Sequence, residues 1–259
     1  MISVPEIVLE RISVSSEAGD DLVSLAKEAV LGLNVLPDEV GGVIAATFSH
    51  QDRFPSLAVQ AASWLGLPAS VAAFDLQMAC SAYPYAVYLA GRLAADTGRK
   101  VVVIDGDVQT RLVDASDHAT GSIFSNACTA TLVGVGEGTS SFDFLSRFST
   151  DLSCGESGPI RMDGMKVFNF VATEVSKFLR GFGTEIDCFA PHQANPYMVR
   201  QLAKSLGLSD RLLTIPEERR NPGSCSVPMA IAASGRKGRM LIAGFGAGYS
   251  ASAGIVRVL

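Results

Sequence analysis

The chain has 259 residues, 48% of them hydrophobic and 18% charged, with a formal net charge of −5. This composition predicts a soluble globular protein of one large domain or two closely packed halves. The basic residues form no dense cluster, which argues against nucleic-acid binding, and no apolar run reaches the ~20 residues of a membrane-spanning helix. Glu6, Glu10 and Arg11 make the N-terminal stretch unlike a signal peptide. We therefore expect a cytoplasmic protein that binds neither nucleic acid nor membrane.

The cysteines argue against a metal site and against a disulfide framework. Their number, five, is odd, and no CxxC or Cys/His ligand spacing occurs. We expect free thiols in a reducing compartment and no metal. The cysteines are Cys80, Cys128, Cys154, Cys188 and Cys225.

Segments typical of strands and of helices alternate along the chain. The predicted strands cover residues 7–12, 43–48, 71–78, 100–104, 127–135, 186–190, 212–215, 240–244 and 252–259. The predicted helices cover residues 57–65, 81–95, 167–179, 196–206 and 226–234. Such alternation predicts an α/β fold with largely parallel strands.

Two stretches share one layout, in which a strand leads into an uncharged helix and then into a second strand. Residues 81–91 and 223–235 carry no ionised side chain, and a helix without a polar face must be buried on all sides. We predict two similar halves, 1–137 and 138–259, joined near 136–141, with these helices sandwiched between two sheets. The alternative is two ordinary core helices of a single-sheet protein.

Cys80 lies between a predicted strand and the first uncharged helix. A helix N-terminus offers unpaired N–H groups and a positive dipole end, which lower the pKa of a thiol and can hold an oxyanion. We therefore interpret Cys80 as a candidate nucleophile. The alternative is a buried structural cysteine.

Two polar residues follow strands in the second half. His192 comes directly after the strand 186–190, where α/β sheets place ligands, although a packed histidine is the alternative. Asn221 lies between a strand and the second uncharged helix, where Asn-Pro-Gly is also common turn chemistry. A cysteine, a histidine and an asparagine at strand ends together indicate a nucleophile with two hydrogen-bonding partners.

Four segments carry a resemblance to a known family: FDLQMACSAY (74–83), APHQAN (190–195), NPGSCSVPMAI (221–231) and GFGAGYSASAGIVRV (244–258). They are similar to the cysteine, histidine, asparagine and C-terminal glycine motifs of β-ketoacyl-acyl-carrier-protein synthase III. The likeness runs from about Val14 to Leu259. It implies the thiolase fold, two halves in αβαβα layers, and a homodimer.

The resemblance also implies roles for three residues. Cys80 would take an acyl group from a thioester donor, either coenzyme A or acyl carrier protein, which is a substrate, so no cofactor is expected. His192 and Asn221 would bind the carbonyl of a malonyl thioester while carbon dioxide leaves, and the resulting enolate would attack acyl-Cys80. The amides of Cys80 and Ala247 would form the oxyanion hole.

Further positions match the family outside the catalytic motifs. Phe54 matches an aromatic residue that reaches toward the partner subunit's acyl pocket, and Asn195 and Gly246 fall among substrate-binding positions. Arg200 and Lys204 remain on the helix after the histidine motif, where they would meet an acidic carrier protein.

The chain also departs from the family pattern. It lacks the usual first strand with its glycine turn and the loop whose Trp and Arg hold coenzyme A, and only the short strand 7–12 would replace them. Tyr197 stands where the family has a basic residue, and Ser81-Ala82-Tyr83 is bulkier than the usual Ala-Gly. We therefore expect a changed entrance and acyl pocket, and coenzyme A need not be the donor.

Three functions follow from these patterns. The leading one is a decarboxylating carbon–carbon condensing enzyme of fatty-acid or polyketide synthesis. In the second, an alcohol or amine accepts the acyl group from Cys80 without loss of carbon dioxide. In the third, the chain is a structural subunit of a heteromeric synthase, although retention of Cys80, His192 and Asn221 argues against it.

Overall fold

The structure is a computed structural model that describes residues 1–16, 19–117, 120–156 and 158–259. The strands are β1 (Ile2–Val14), β2 (Val40–Ala46), β3 (Ala72–Leu76), β4 (Lys100–Val108), β5 (Asn126–Ser146), β6 (Leu152–Ser153), β7 (Arg161–Met162), β8 (Cys188–Pro191), β9 (Gly238–Gly246) and β10 (Ser250–Val258). The α-helices are α1 (Leu22–Gly32), α2 (Leu57–Trp64), α3 (Ala82–Thr97), α4 (Gly164–Phe170), α5 (Ser176–Arg180), α6 (Pro196–Ser205) and α7 (Ser226–Ser234). In the described part of the chain, no helix has the length and hydropathy that a membrane-spanning helix needs.

Eight strands form one sheet in the order β3-β2-β4-β5-β1-β10-β9-β8, and β6 and β7 form a small separate hairpin. The pairs β2–β3, β2–β4, β8–β9 and β1–β10 are parallel. The pairs β1–β5, β4–β5, β5–β10 and β9–β10 are antiparallel. The prediction of largely parallel strands is therefore wrong. The physical reason is that β9 and β10 are joined by a tight glycine turn without a crossover helix, which forces antiparallel pairing.

The long strand β5 lies in the middle of the sheet and pairs with strands on both of its sides. Its first part pairs with β4 and β1, and its last part pairs with β10. The predicted junction between 1–137 and 138–259 lies inside this strand. The division into two halves stays a prediction.

The helices form layers on both sides of the sheet and between its two sections. Helices α1 and α2 pack with β2, β4 and β5 in one outer core, and α4 to α6 pack with β8 to β10 in the opposite outer core. Helices α3 and α7 share a middle core with residues of both β1–β5 and β8–β10. This αβαβα arrangement is the thiolase fold, as predicted.

The two uncharged helices occupy the middle layer, as their composition predicts. In α7, every residue from Ser226 to Ile231 is buried, and in α3 the buried residues recur along one wide face from Ala82 to Ala94. Although the eight strands are hydrogen-bonded into one sheet, α3 contacts both of its sections. The prediction of two separate sheets is therefore wrong, whereas the prediction that these helices are sandwiched between two layers of strands is confirmed.

Four local features differ from the predictions. Residues 212–215 form no strand, because Leu212 makes a single bridge to Phe189 and Pro216 follows. The predicted helix 167–179 contains a π-helical turn, Val171–Val175, between α4 and α5. Helix α1 was not predicted, although Asp21 caps it and its buried residues follow helical spacing. The predicted strand 7–12 extends over all of β1, which lies in the middle of the sheet.

Candidate active site

Cys80 lies in a sharp turn between β3 and α3. Ala79 adopts the left-handed region, with φ of 43°, and a 3-10 turn, Ala79–Ser81, leads into the helix. A positive φ is strained for a residue with a Cβ atom and persists where the surrounding structure imposes it. Here Ser252 Oγ donates to the Ser81 carbonyl at 2.7 Å, and the Tyr83 N–H donates to Ser224 Oγ at 2.7 Å. Strands and helices of both sequence halves therefore fix the turn that carries Cys80.

The glycine motif at the end of β9 lies directly against this turn. A Cβ atom on Gly244 would stand 2.8 Å from the Cys80 carbonyl oxygen, and one on Gly246 would stand 3.3 Å from Cys80 Cβ. Gly246 also has φ of 144°, which residues with side chains rarely adopt. Glycine is therefore required here for backbone to approach the cysteine.

His192 follows β8 and is held from two sides. Its backbone N–H donates to the Ala243 carbonyl of β9 at 2.7 Å. Its Nδ1 lies 3.0 Å from the Gly223 carbonyl oxygen and 3.1 Å from Ser226 Oγ. In the described part of the chain, the imidazole has no hydrogen-bond partner at Nε2. That nitrogen remains available to a substrate.

Asn221 is held by its backbone and by one side-chain oxygen. Its N–H donates to the Ile123 carbonyl at 3.1 Å, and Gln109 Nε2 donates to its carbonyl at 3.1 Å. Its Oδ1 accepts the Gly223 N–H at 3.0 Å. This bond fixes the orientation of the carboxamide and leaves its NH2 group free to donate to a substrate.

The structure brings Cys80, His192 and Asn221 together. All three line one chamber of about 80 Å³, which we call the central chamber. Its walls are mostly apolar. They comprise Cys80, Ile123, Phe124, Leu152, Met162, Gly164, Val167, Val171, His192, Ala194, Asn195, Met198, Asn221, Phe245 and Gly246.

Two further cavities adjoin the central chamber. The entrance groove, of about 240 Å³, shares Asn195 and Asn221 with it and is also lined by Arg200, Glu217 and Arg220. The side chamber, of about 130 Å³, shares Cys80, Phe124 and Leu152 with the central chamber. Its other lining residues are Phe48, Gln77, Ala79, Gln109, Ser153, Cys154, Ile160 and Ala247. Cys80 therefore stands where two cavities meet.

The prediction that Cys80 has a lowered pKa is wrong. Burial raises the pKa of its thiol to about 11, although the N–H groups of Ala247 and of Cys80 itself face the sulfur and act to lower it. The negative charges of Asp107 and Asp105 add to the rise. Cys80 is only 6% exposed, so a thiolate there would lose most of its hydration. Hydrogen bonds from two amides stabilise the thiolate by less than this loss costs.

This pKa predicts how Cys80 reacts with iodoacetamide. Since the thiolate is the reactive form, the alkylation rate at Cys80 should rise about tenfold per pH unit from pH 7 to 10. Peptide mass mapping over a pH series measures this rate, and the Cys80→Ala variant identifies the adduct. A rate that levels off near pH 7 would mean that the thiol is already ionised there.

Burial has the opposite effect on His192. It lowers the pKa of the imidazole to about 4, against a weaker upward effect of the Gly223 carbonyl. The side chain is 1% exposed and is therefore neutral at pH 7. His192 acts in the central chamber as an uncharged donor or acceptor.

The structure places the other predicted site residues as follows. The N–H of Ala247 faces Cys80 Sγ, as the predicted oxyanion hole requires, and Gly246 lines the central chamber. Asn195 also lines it, but its Oδ1 caps α6 by accepting the Met198 N–H at 2.8 Å. Only its NH2 group is left for a substrate.

Phe54, Arg200 and Lys204 lie outside the central chamber. Phe54 is 85% exposed. Arg200 lines the entrance groove, where its Nη1 lies 3.5 Å from Glu217, and Lys204 is exposed one turn further along α6.

Sequence patterns did not reveal several residues of the site. Phe124, Leu152 and Phe245 wall the central chamber, and Ser226 contacts the imidazole of His192. Ser226 and Phe245 lie in motifs that the sequence had singled out, the asparagine motif and the glycine motif. Phe124 and Leu152 carry no signal of their own.

A buried thiol with two N–H groups facing its sulfur, beside a neutral imidazole and a carboxamide, defines an acyl-transfer site of a thiolase-fold enzyme. Comparisons with known proteins agree. The family model of 3-oxoacyl-(acyl-carrier-protein) synthase III matches residues 74–151, and the model of its C-terminal part matches residues 183–258, together more than half of the chain. The chain belongs to the 3-oxoacyl-(acyl-carrier-protein) synthase III family of condensing enzymes, which are acyltransferases.

Individual relatives cover most of the chain. The β-ketoacyl-(acyl-carrier-protein) synthase III of Thiobacillus denitrificans is 28% identical over 95% of this chain and 86% of its own length. The solved structure of the synthase III of Pseudomonas aeruginosa is 25% identical, with a TM-score of 0.82 over 94% of this chain and 84% of that one. A 3-oxoacyl-(acyl-carrier-protein) synthase from Burkholderia xenovorans shares the fold, with a TM-score of 0.84, 23% identity and coverage of 98% and 93%.

Proposed function

We propose that this enzyme transfers an acyl group to Cys80 and condenses it with a malonyl-type thioester, with loss of carbon dioxide. The observation that carries the proposal is that Cys80, His192 and Asn221 line one chamber while two backbone N–H groups face the sulfur. Family membership supports the same reaction.

In the first half-reaction, Cys80 Sγ attacks the carbonyl carbon of the acyl donor. The carbonyl oxygen becomes an oxyanion, which the N–H groups of Cys80 and Ala247 stabilise. The bond from the carbonyl carbon to the donor sulfur then breaks, and the donor leaves as a thiol. The acyl chain extends into the side chamber, which opens at Cys80 and is lined by Phe48 and Ile160.

In the second half-reaction, the thioester carbonyl of the malonyl group accepts hydrogen bonds from the Asn221 NH2 and from an N–H at His192 Nε2. These donors stabilise the enolate that forms when the bond to the carboxylate breaks and carbon dioxide leaves. The enolate carbon attacks acyl-Cys80, the carbon–sulfur bond breaks, and the sulfur leaves as a thiolate that takes one proton from solvent to regenerate the Cys80 thiol. Uncharged donors suffice for this step, so it needs no metal.

Partners follow from the surfaces around the site. We place an acyl carrier protein over the entrance groove, where Arg200 and Lys204 are exposed and would meet its acidic surface. We also propose a homodimer in which β3, an edge strand, pairs with its counterpart in a second copy. Phe74 on β3 and Phe54 nearby in sequence are exposed in the single chain, as residues of such an interface would be. Free thiols at all five cysteines fit a cytoplasmic location.

A malonyl thioester labelled in its free carboxylate tests the proposed reaction. The purified protein is mixed with a panel of acyl donors, each as coenzyme A and as carrier-protein thioester, and labelled carbon dioxide is counted against product. We expect one carbon dioxide for each 3-oxoacyl product. Acyl transfer to an alcohol or amine without carbon dioxide would favour the second hypothesis, and failure of every donor would refute the proposal.

A further inference from the structure

The hydrogen bonds at His192 Nδ1 pose a question about the position of one proton. Nδ1 lies 3.0 Å from the Gly223 carbonyl oxygen, which can only accept, and 3.1 Å from Ser226 Oγ, which can donate or accept. The imidazole is neutral, so only one of its nitrogens carries a proton. Which nitrogen carries it decides whether Nε2 accepts or donates in the central chamber.

The hydroxyl of Ser226 can form hydrogen bonds that are compatible with either tautomer of His192. Its Oγ accepts the Gln193 N–H at 3.0 Å, which fixes its position, and it lies 2.7 Å from the Gly223 carbonyl oxygen. The single O–H can therefore donate to Gly223 or to His192 Nδ1. The hydroxyl is fully buried, so solvent does not compete for it.

Two arrangements satisfy these groups. In the first, Nδ1–H and the Ser226 O–H both donate to the Gly223 carbonyl, which also accepts the Ser226 backbone N–H and is therefore shared by three donors, and Nε2 is an acceptor. In the second, the Ser226 O–H donates to Nδ1, and Nε2–H becomes a donor. Gly223 still accepts a backbone N–H from Ser226 in the second arrangement, so its carbonyl is satisfied.

We propose that Ser226 is a positioning residue that makes the Nε2–H tautomer of His192 accessible. This inference rests on the proposed function, because the two half-reactions need different tautomers. In acylation, Nε2 takes the thiol proton of Cys80 and passes it to the departing donor sulfur, which returns the imidazole to its neutral form. In condensation, Nε2–H donates to the malonyl carbonyl. Interconversion moves one proton from Nδ1 to Nε2, so the net charge is unchanged.

Removal of the hydroxyl leaves only the Gly223 carbonyl beside Nδ1. A bare Nδ1 lone pair 3.0 Å from a carbonyl oxygen is repulsive, so the Ser226→Ala variant retains the Nδ1–H tautomer. Acylation of Cys80 then proceeds, while decarboxylation of the malonyl thioester loses a donor and falls about 100-fold.

Nitrogen-15 spectra of the histidine rings test this inference without an activity assay. The chain has three histidines, so the His192→Gln variant identifies the signals of His192. In wild type we expect a populated Nε2–H tautomer at pH 7.5, and in Ser226→Ala only the Nδ1–H tautomer. Ser226→Thr keeps a hydroxyl and should restore the wild-type pattern where it folds. A wild-type spectrum with Nδ1–H alone, or one unchanged in Ser226→Ala, overturns the proposal.

The kinetic comparison separates this inference from the proposed function. Acyl-Cys80 formation is followed by intact mass, and carbon dioxide release by the labelled malonyl thioester, in wild type and Ser226→Ala. Wild type that releases no carbon dioxide would refute the proposed function. An active wild type with equal loss of both half-reactions in Ser226→Ala would refute only the role of Ser226.

Discussion

Cys80→Ala will form no acyl adduct with any donor and will lower condensation at least about 1,000-fold, because the step that stores the acyl group needs the sulfur. No other described group in the central chamber can replace it, since the imidazole and the carboxamide are held for the second half-reaction. Intact mass after incubation with acyl donors measures the adduct, and product formation measures turnover. Alanine leaves a smaller side chain in the same turn, so circular dichroism and thermal unfolding should stay near wild type.

Cys154 provides the matched control for this experiment. It is exposed, and among the described residues that line the side chamber it is the one cysteine besides Cys80. Cys154→Ala should keep both the adduct and turnover. An adduct that persists in Cys80→Ala and disappears in the double variant would place the nucleophile at Cys154 and contradict the assignment.

The positions of Cys80 and His192 could be predicted because each follows a strand that sequence patterns reveal. Cys80 follows β3 and His192 follows β8, and both of these strands pair in parallel with a neighbour. Ligand sites form at the carboxyl ends of such strands. Asn221 was harder, since its predicted strand does not exist, yet the uncharged helix after it still marked the position.

Other features of the site could not be predicted because they arise from contacts distant in sequence. The backbone N–H groups near Cys80 act to lower its pKa, as the helix-terminus argument predicts. Burial, which depends on the entire fold, has the larger effect and raises the pKa instead. Leu152 reaches the central chamber from the β6–β7 hairpin. Its two strands are too short to show an alternation of apolar and polar residues in the sequence. Ser226 contacts His192 across 34 residues of chain.

The direction of strand pairing in the sheet could not be predicted from the sequence either. Alternation of strands and helices predicts layers, and the layers exist, but pairing direction depends on how consecutive strands connect. β5 runs 21 residues through the predicted junction and pairs antiparallel with β1, β4 and β10. Its predicted range ended at residue 135 because Gly134, Gly136 and Gly138 weaken the strand pattern there. In the structure, β1 packs closely on these glycines, with Glu10 against Gly134 and Glu6 against Gly136 and Gly138.

We expect the buried carboxyl of Asp105 to make the free energy of unfolding depend strongly on pH. The residue is 1% exposed on β4, and within the described chain neither carboxyl oxygen has a hydrogen-bond partner. Burial raises the pKa of this carboxyl well above its ordinary value, the neighbouring charge of Asp107 adds to the rise, and the nearby Ser224 hydroxyl acts against it. Burial, with the nearby charge of Asp105, also raises the pKa values of the Cys128 and Cys225 thiols, and a thiol cannot supply a positive charge. Folding therefore favours the protonated form of Asp105.

The raised pKa makes stability fall as pH rises. Between pH 4 and the folded pKa, the folded state binds one proton more than the unfolded state, which lowers the free energy of unfolding by about 1.4 kcal/mol per pH unit. Asp105→Asn removes this slope with nearly the same side-chain shape. We expect the variant to be more stable than wild type at pH 8, with the difference shrinking toward pH 5.

Urea unfolding of wild type and Asp105→Asn at four pH values from 5 to 8 measures that difference directly. His192, whose pKa burial lowers to about 4, titrates in both proteins, so its contribution largely cancels in the comparison. Asp107, whose pKa burial raises to about 6, interacts with Asp105, so the difference near pH 6 also contains the coupling between the two carboxyls. Asp96→Asn, an exposed change at the end of α3, is the matched control and should shift stability little at any pH. A constant difference between Asp105→Asn and wild type from pH 5 to 8 would mean that Asp105 does not hold its proton on folding. In that case Asp105 would be ionised in the folded protein, and a buried group would have to stabilise its negative charge.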